Sequence, residues 1–395
     1  MSTRTTLSFA IAFLTAILFT PVVTKLEAQD QSPRQDRFVA HEWGTFTSVS
    51  TSDGKAQLWN PLSGPSELPS FVYRFSDPGK CSKSGRTLAL VRMETPVIYF
   101  YSDRRTPASV KVDFPNGCIT EWYPLANATR RSINWNGLVA QPGAKERFPV
   151  DKSRSHYYPA RETDAAPLSI GDEQKVEQEK FLFYRGIGFF DLPLSVRLKD
   201  DQVIVRSVAQ EEIAKVILFE NREGKSGWRI HGALKGEATI ARPALDQPVE
   251  SLLREFEKTL VEQGLYEKEA AAMVKTWRDA WFEEGLRVFY IVPRRETDAI
   301  LPITINPQPS ELARVFVGRA EIITPEMERD ILAAVKLFCE NSSKTRAAAI
   351  DSVRRHGRFA YPVLNQALTY ATDNASRRMI NELTVAATAK PAGNR

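Results

Sequence analysis

Residues 159–165 read Pro159-Ala160-Arg161-Glu162-Thr163-Asp164-Ala165, and residues 293–299 read Pro293-Arg294-Arg295-Glu296-Thr297-Asp298-Ala299. Each copy follows an aromatic or apolar triplet, His156-Tyr157-Tyr158 and Tyr290-Ile291-Val292. Each is followed, at the same distance, by an apolar run closed by an arginine: Phe181-Leu182-Phe183-Tyr184-Arg185 and Val315-Phe316-Val317-Gly318-Arg319. Proline, motif and distal arginine recur together, which reads as an internal duplication joining two related β-rich parts.

Strand signals surround both copies. From Phe38 the run containing His41-Glu42-Trp43-Gly44-Thr45-Phe46 is aromatic and β-branched. Alternation along a strand puts His41, Trp43 and Thr45 on one face and Glu42 on the other, unless a bulge near Gly44 intervenes. Short apolar runs at 87–101, 110–114, 119–123 and 132–139 are punctuated by Pro96, Asn116-Gly117 and Pro124. More follow at 181–190, 194–198, 203–208, 215–219 and 228–231. Such spacing predicts a mainly β body, a sandwich or barrel.

Two helical patterns interrupt it. Val249, Leu252, Leu253, Phe256 and Leu260 share one helix face, and Gly264 ends it. The next runs from about Glu267 to Glu284, with Met273, Trp277, Ala280 and Trp281 on one side. Asp279, Glu283 and Glu284 crowd its C-terminus, where the helix dipole disfavours negative charge. Arg278, Arg287 or the Arg294-Arg295 pair is expected to compensate. Beyond Pro325 the pattern is helical at about 326–340, 345–356, 359–372 and 375–387, and residues 345–368 resemble a HEAT-type helix pair. The expected organisation is a leader (1–28), a linker (29–36), a β-rich domain (37–245) with a long loop at 141–180, a two-helix insertion with the second β-rich part (246–324), and a C-terminal helical region (325–390).

The chain has 395 residues and a formal net charge of +5, or +4 without Arg4, Lys25 and Glu27 of the first 28 residues. That excess forms no Lys/Arg block, so no nucleic-acid partner is expected. Arg4, the apolar stretch from Leu7 to Val23 and the small residue Ala28 read as a cleaved secretory signal, with an uncleaved N-terminal tether as the alternative. Export to the periplasm or beyond is the expectation, with no integral membrane domain after cleavage. An oxidising compartment permits a disulfide, for which Cys81 and Cys118 are the expected pair, leaving Cys339 as a buried thiol. Four histidines are scattered and no zinc motif occurs, so neither metal nor cofactor is expected.

The stretches His41-Glu42-Trp43-Gly44-Thr45-Phe46, Met93-Glu94-Thr95-Pro96-Val97, Ile119-Thr120-Glu121-Trp122-Tyr123-Pro124 and Trp277-Arg278-Asp279, with the Arg-Glu-Thr-Asp copies, resemble a family of uncharacterised exported bacterial proteins. The resemblance spans roughly residues 38–325. It implies export and a bacterial source, and brings no activity, fold or catalytic residue.

No nucleophile elbow, phosphate loop or dinucleotide fingerprint is present. Glu42, Glu94, Glu121, Asp164 and Asp298 are the candidate catalytic acids, and His41, Trp43, Arg161 and Arg295 the candidate ligand-binding residues. Glu94 and Glu121 stand in apolar, aromatic stretches, where burial raises a carboxyl pKa. With Trp43, Trp59, Trp122 and Trp135 nearby they suggest a carbohydrate cleft, although tryptophans more often fill cores. Arg161 with Asp164 and Arg295 with Asp298 read as loop braces. They read as a shared site if the two copies meet across a pseudo-two-fold axis. The leading functional expectation is an exported protein that binds a ligand or an envelope or extracellular partner. The alternative is an extracytoplasmic hydrolase acting on a polymer through paired carboxylates.

Overall fold

The computed structural model describes residues 1, 37–62, 68–76, 88–153, 155–171, 175–339 and 342–388. Residues 2–28 of the expected leader, the linker 29–36 and Cys81 lie outside the described residues. Cys118 is disulfide-bonded and Cys339 is a free thiol, half-buried rather than buried.

In chain order the strands are β1 (Phe38–Thr51), β2 (Tyr73–Arg74), β3 (Val91–Ser102), β4 (Thr106–Asp113), β5 (Gly117–Tyr123), β6 (Asn127–Ala128), β7 (Ser132–Ala140), β8 (Leu168–Gly171) and β9 (Val176–Glu179). They continue with β10 (Leu182–Gly188), β11 (Leu194–Lys199), β12 (Gln202–Ser207), β13 (Ile213–Arg222), β14 (Lys225–Leu234), β15 (Glu237–Ala241), β16 (Gly285–Val292), β17 (Ile303–Asn306) and β18 (Glu311–Ile323). The helices are α1 (Val249–Glu262), α2 (Glu267–Trp281), α3 (Arg294–Ile300), α4 (Pro325–Cys339), α5 (Ser343–Arg355), α6 (Ala360–Tyr370) and α7 (Asn374–Thr388).

A nine-stranded sheet in the order β14-β13-β16-β18-β1-β3-β10-β5-β2 carries the molecule. The order ends at β14 and β2, so the sheet is open and the barrel alternative does not hold. Within it β16 and β18, from the span 246–324, are inserted side by side between β13 and β1 of the span 37–245. Its even-numbered β1 residues Phe38, Ala40 and Phe46 face a core shared with the β17-β4-β7-β8-β9 and β11-β12-β15 sheets, where Val110, Trp135 and Val205 pack. The opposite face, with Trp43, Val97 and Val317, is covered by Phe256, Met273, Trp277 and Trp281 of α1 and α2, and by Tyr157 and Ala160. Three layers result: small sheets, large sheet, helices. The expected loop 141–180 therefore holds β8, β9 and a 3-10 turn at Tyr158–Arg161, because its apolar residues Leu168 and Ile170 complete the six-stranded sheet.

Gly44 sits where β1 crosses Phe316 of β18. A Cβ there would lie 2.7 Å from the Phe316 ring and 3.2 Å from the Pro96 backbone. The irregularity in the β1/β3 ladder belongs to β3, where Thr95 takes a φ of 47° and two β1 residues span three of β3. His41 and Glu42 thus stay on opposite faces. Gly44→Ala should cost about 1–3 kcal/mol by overpacking, read from urea unfolding; a neutral result would contradict this packing.

The C-terminal helices form their own core, with Ile331, Phe338, Val353, Val363 and Leu383, closed against the β body by Val49, Trp59 and Ile323. Here α5 packs chiefly on α4 and α7, and α6 on α4 and α7, which differs from a HEAT hairpin of α5 with α6. No helix among the described residues is long and apolar enough to cross a membrane.

Candidate functional site

The two sequence copies separate in space. The first forms the 3-10 turn at Tyr158–Arg161 on the helix face, with Tyr157 and Ala160 in that core. The second forms α3 on the other face, where Ile300 and Leu301 join the opposite core. Strands β10 and β18 that follow them both run parallel to β1, so no two-fold axis between β1 and β3 relates them.

The expected braces are also re-paired. Arg161 donates to Glu179 at 2.9 and 2.6 Å, not to Asp164, because β9 brings Glu179 under the turn. Exposed Asp164 instead accepts from Lys268 of α2 at 2.5 Å, in a cleft of about 520 Å³ with Arg37, Tyr101 and Lys180. Asp298 pairs with Arg294 at 2.8 Å, one helical turn away, and with Arg314 at 2.7 Å; Arg295 is exposed. Arg294 lines a separate cleft of about 420 Å³. The candidates Asp164 and Asp298 do not share a site.

Glu42 is fully buried and bound on both oxygens, accepting from Tyr184 at 2.6 Å and Arg314 at 2.5 Å. His41 faces the helices, with Nδ1 2.7 Å from Glu269 of α2. Trp43 is core, as are Trp59, Trp122 and Trp135, and none of the seven tryptophans is exposed.

What the fold does gather is a polar row across the helix face of the large sheet. Arg287 comes from β16, Arg319 and Glu321 from β18, Thr45 and Thr47 from β1, Arg92 and Glu94 from β3, Arg185 from β10, and Glu121 from β5. Register fixes the order: Thr47 lies between Arg319 and Arg92, Thr45 opposes Glu94, and Arg185 opposes Glu121. Glu283 and Arg358 reach in from the loop after α2 and the turn before α6.

One end of the row is a brace. Arg287 donates through Nε to Glu321 at 3.0 Å, and to the carbonyls of Trp281, Glu283 and Glu284 at 2.6, 2.7 and 2.8 Å. Of the cations expected to compensate at the C-terminus of α2, it is Arg287 that caps the terminal carbonyls, whereas Arg278 pairs with Glu250 and Arg294 with Asp298. Burial pushes the Arg287 guanidinium down to about 10, against the pull of Glu321. Burial alone would raise Glu321, but Arg287, Arg319 and Arg358 outweigh it and hold the carboxyl below its usual range. Arg319 donates to Glu283 at 2.7 Å and lies 2.5 Å from Glu321.

The middle of the row is incomplete. Thr45 and Thr47 hydroxyls, Nε and Nη1 of Arg319, Nε of Arg185 and Oε2 of Glu94 are buried without a hydrogen-bond partner. Arg92 lies 3.3 Å from the other oxygen of Glu94. No carboxylate pairs with Arg185 among the described residues. The rim, with Arg92 at 17%, Arg358 at 19% and Glu283 at 39% side-chain exposure, is open to water. Native folds leave few buried polar atoms unmatched, so these atoms call for partners of the kind that ordered water or a bound molecule supplies.

Burial raises the Glu121 carboxyl, with Thr120, Arg92 and Arg74 pulling the other way. A raised folded pKa contributes stability in full below the unfolded value and loses it as pH rises through the folded one. Glu121→Gln should therefore stabilise the protein at pH 7, by under about 2 kcal/mol, and make no difference below about pH 4. Parallel urea melts at the two pH values check this; equal effects at both would refute it.

No family model matches this chain. No curated protein matches it either. Among solved structures, a yeast delta-COP-I mu-homology domain shares 10% identity over 73% of this chain and 99% of its own, with a TM-score of 0.30. The same domain complexed with a Dsl1 WxWxV peptide scores 0.28 at 9% identity, with the same coverage of both chains. At that level neither fold nor binding properties transfer. Among the described residues no set of three His, Cys, Asp or Glu side chains is placed to hold a metal ion.

Sequence reasoning passed over Arg185 and Arg319 as site residues. The signal was their equal distance from the two motif copies. The motifs part to opposite faces, whereas the distal arginines arrive on the same one.

Proposed function

We propose that this is an exported binding protein whose ligand occupies the middle of the polar row. The supporting observation is the set of buried, unpartnered polar atoms on Thr45, Thr47, Glu94, Arg185 and Arg319. Each loses hydration without gaining a partner, at roughly 1–3 kcal/mol per group, and a ligand that supplies partners recovers that cost. Thermal unfolding of the purified protein against a library of small polar metabolites and glycans tests the proposal. A ligand present at 100 times its Kd adds about 2.7 kcal/mol, and Arg185→Met should abolish the shift. Hits indifferent to Arg185→Met, or no hits, would overturn it.

A hydrolase is the second reading. Glu121 opposes Arg185 and Glu94 lies on β3, the strand on the other side of β10, and burial raises Glu121, as a general acid requires. The lack of an exposed tryptophan beside them disfavours a polysaccharide chain. Release of reducing ends from a polysaccharide panel, lost in Glu121→Gln, would favour this reading; inactivity across the panel would remove it.

A further inference from the structure

Resting on the binding reading, the structure assigns the row a small ligand that joins an oxyanion to a neighbouring hydroxyl or ammonium donor, as in a hydroxy acid, sugar phosphate or amino acid. Among the described residues the row holds Arg92, Arg185, Arg287, Arg319 and Arg358 against Glu94, Glu283 and Glu321, with Glu121 at its far edge. Glu321 and Glu283 are engaged by Arg287, Arg319 and Arg358, and Glu94 by Arg92. Arg185, 9% exposed, opposes Glu121 across the ladder but forms no ion pair with it, and its Nε has no hydrogen-bond partner; Arg319, fully buried, keeps two unused nitrogens.

Guanidinium is the side chain best shaped for a carboxylate or phosphate, since its parallel N–H groups meet two oxygens at once. An unpaired buried cation is costly, and an incoming anion removes that cost. The hydroxyls of Thr45 and Thr47 lie on β1, between the two arginine-bearing sides of the row, and add neutral donors to the same anion. Glu94 supplies the second half of the specificity. Its Oε2 is buried and unused, and an ionised carboxylate only accepts hydrogen bonds. A bare anion beside it would be repelled. A ligand whose anionic group carries a hydroxyl or ammonium neighbour satisfies both ends.

Four probes of similar size separate these elements in titration calorimetry: glycerate, glycerol 3-phosphate, propionate and glycerol. Glycerate or glycerol 3-phosphate should bind at least tenfold tighter than propionate or glycerol, and the order of those two distinguishes carboxylate from phosphate. Arg185→Gln should weaken both anionic polyols at least tenfold. Glu94→Gln should erase the advantage of glycerate over propionate. Glycerol binding as tightly as glycerate, with the same loss in Arg185→Gln, would leave a binding site and overturn the oxyanion. Binding unaffected by Arg185→Gln would overturn both. If none of the four binds, the oxyanion assignment falls, and the binding reading falls with it only where Arg185→Gln unfolds as readily as Glu321→Gln.

Discussion

Glu321→Ala should lower the unfolding free energy by about 3–5 kcal/mol, one of the two largest single effects in the molecule. Glu321, Arg287 and Arg319 are all fully buried, and one carboxylate serves both cations. Removing it leaves two guanidinium groups in a low-dielectric interior, with Arg287 held only by the carbonyls that end α2. The same carboxyl governs acid sensitivity. Its folded pKa is depressed, so its contribution is complete above the unfolded value of 4.5 and is lost as pH falls through the folded value. Wild type should therefore weaken on acidification below about pH 4.5, and Glu321→Ala should show a flatter profile there. Urea melts from pH 7 to pH 3 measure both. A loss under 1 kcal/mol at neutral pH would mean the triad is a surface-like pair and would contradict the buried geometry.

Glu42→Ala should cost a comparable amount, about 3–5 kcal/mol, on the opposite face of the sheet. Arg314 would keep only Asp298, which is partly exposed, and Tyr184 would lose the acceptor of its hydroxyl. Burial, the larger cause, raises the Tyr184 hydroxyl far above its usual range and persists without Glu42, so the phenol stays neutral and does not replace the lost charge. Glu42→Gln retains an acceptor for Tyr184 and should fall between wild type and alanine. Full stability in Glu42→Ala would return this residue to the list of candidate acids. As placed, Glu42 braces the fold.

These residues show what the sequence made legible. Alternation along β1 correctly separated His41 and Trp43 from Glu42, since that property is local to one strand. Helical spacing located α1, α2 and α4–α7, and dipole reasoning put Arg287 among the partners for the C-terminus of α2. Pairing partners set by sheet order were not legible. Arg161 meets Glu179 because β9 folds under the turn, and Asp298 meets Arg314 because β18 runs past α3. Neither distance exists along the chain. The row escaped notice for a related reason. Thr45, Glu94, Arg185 and Arg319 come from four strands, and a hydrogen-bond vacancy belongs to their assembled surroundings.

Arg185 separates a brace from a binding site most directly. The unfolding free energy of Arg185→Met, compared with wild type at pH 7 without added ligand, should be unchanged or higher by up to about 2 kcal/mol, since the substitution removes an unpaired buried cation while filling its space. A loss of 3 kcal/mol or more would show that Arg185 holds the sheet together, and would contradict the assignment of the row to a ligand.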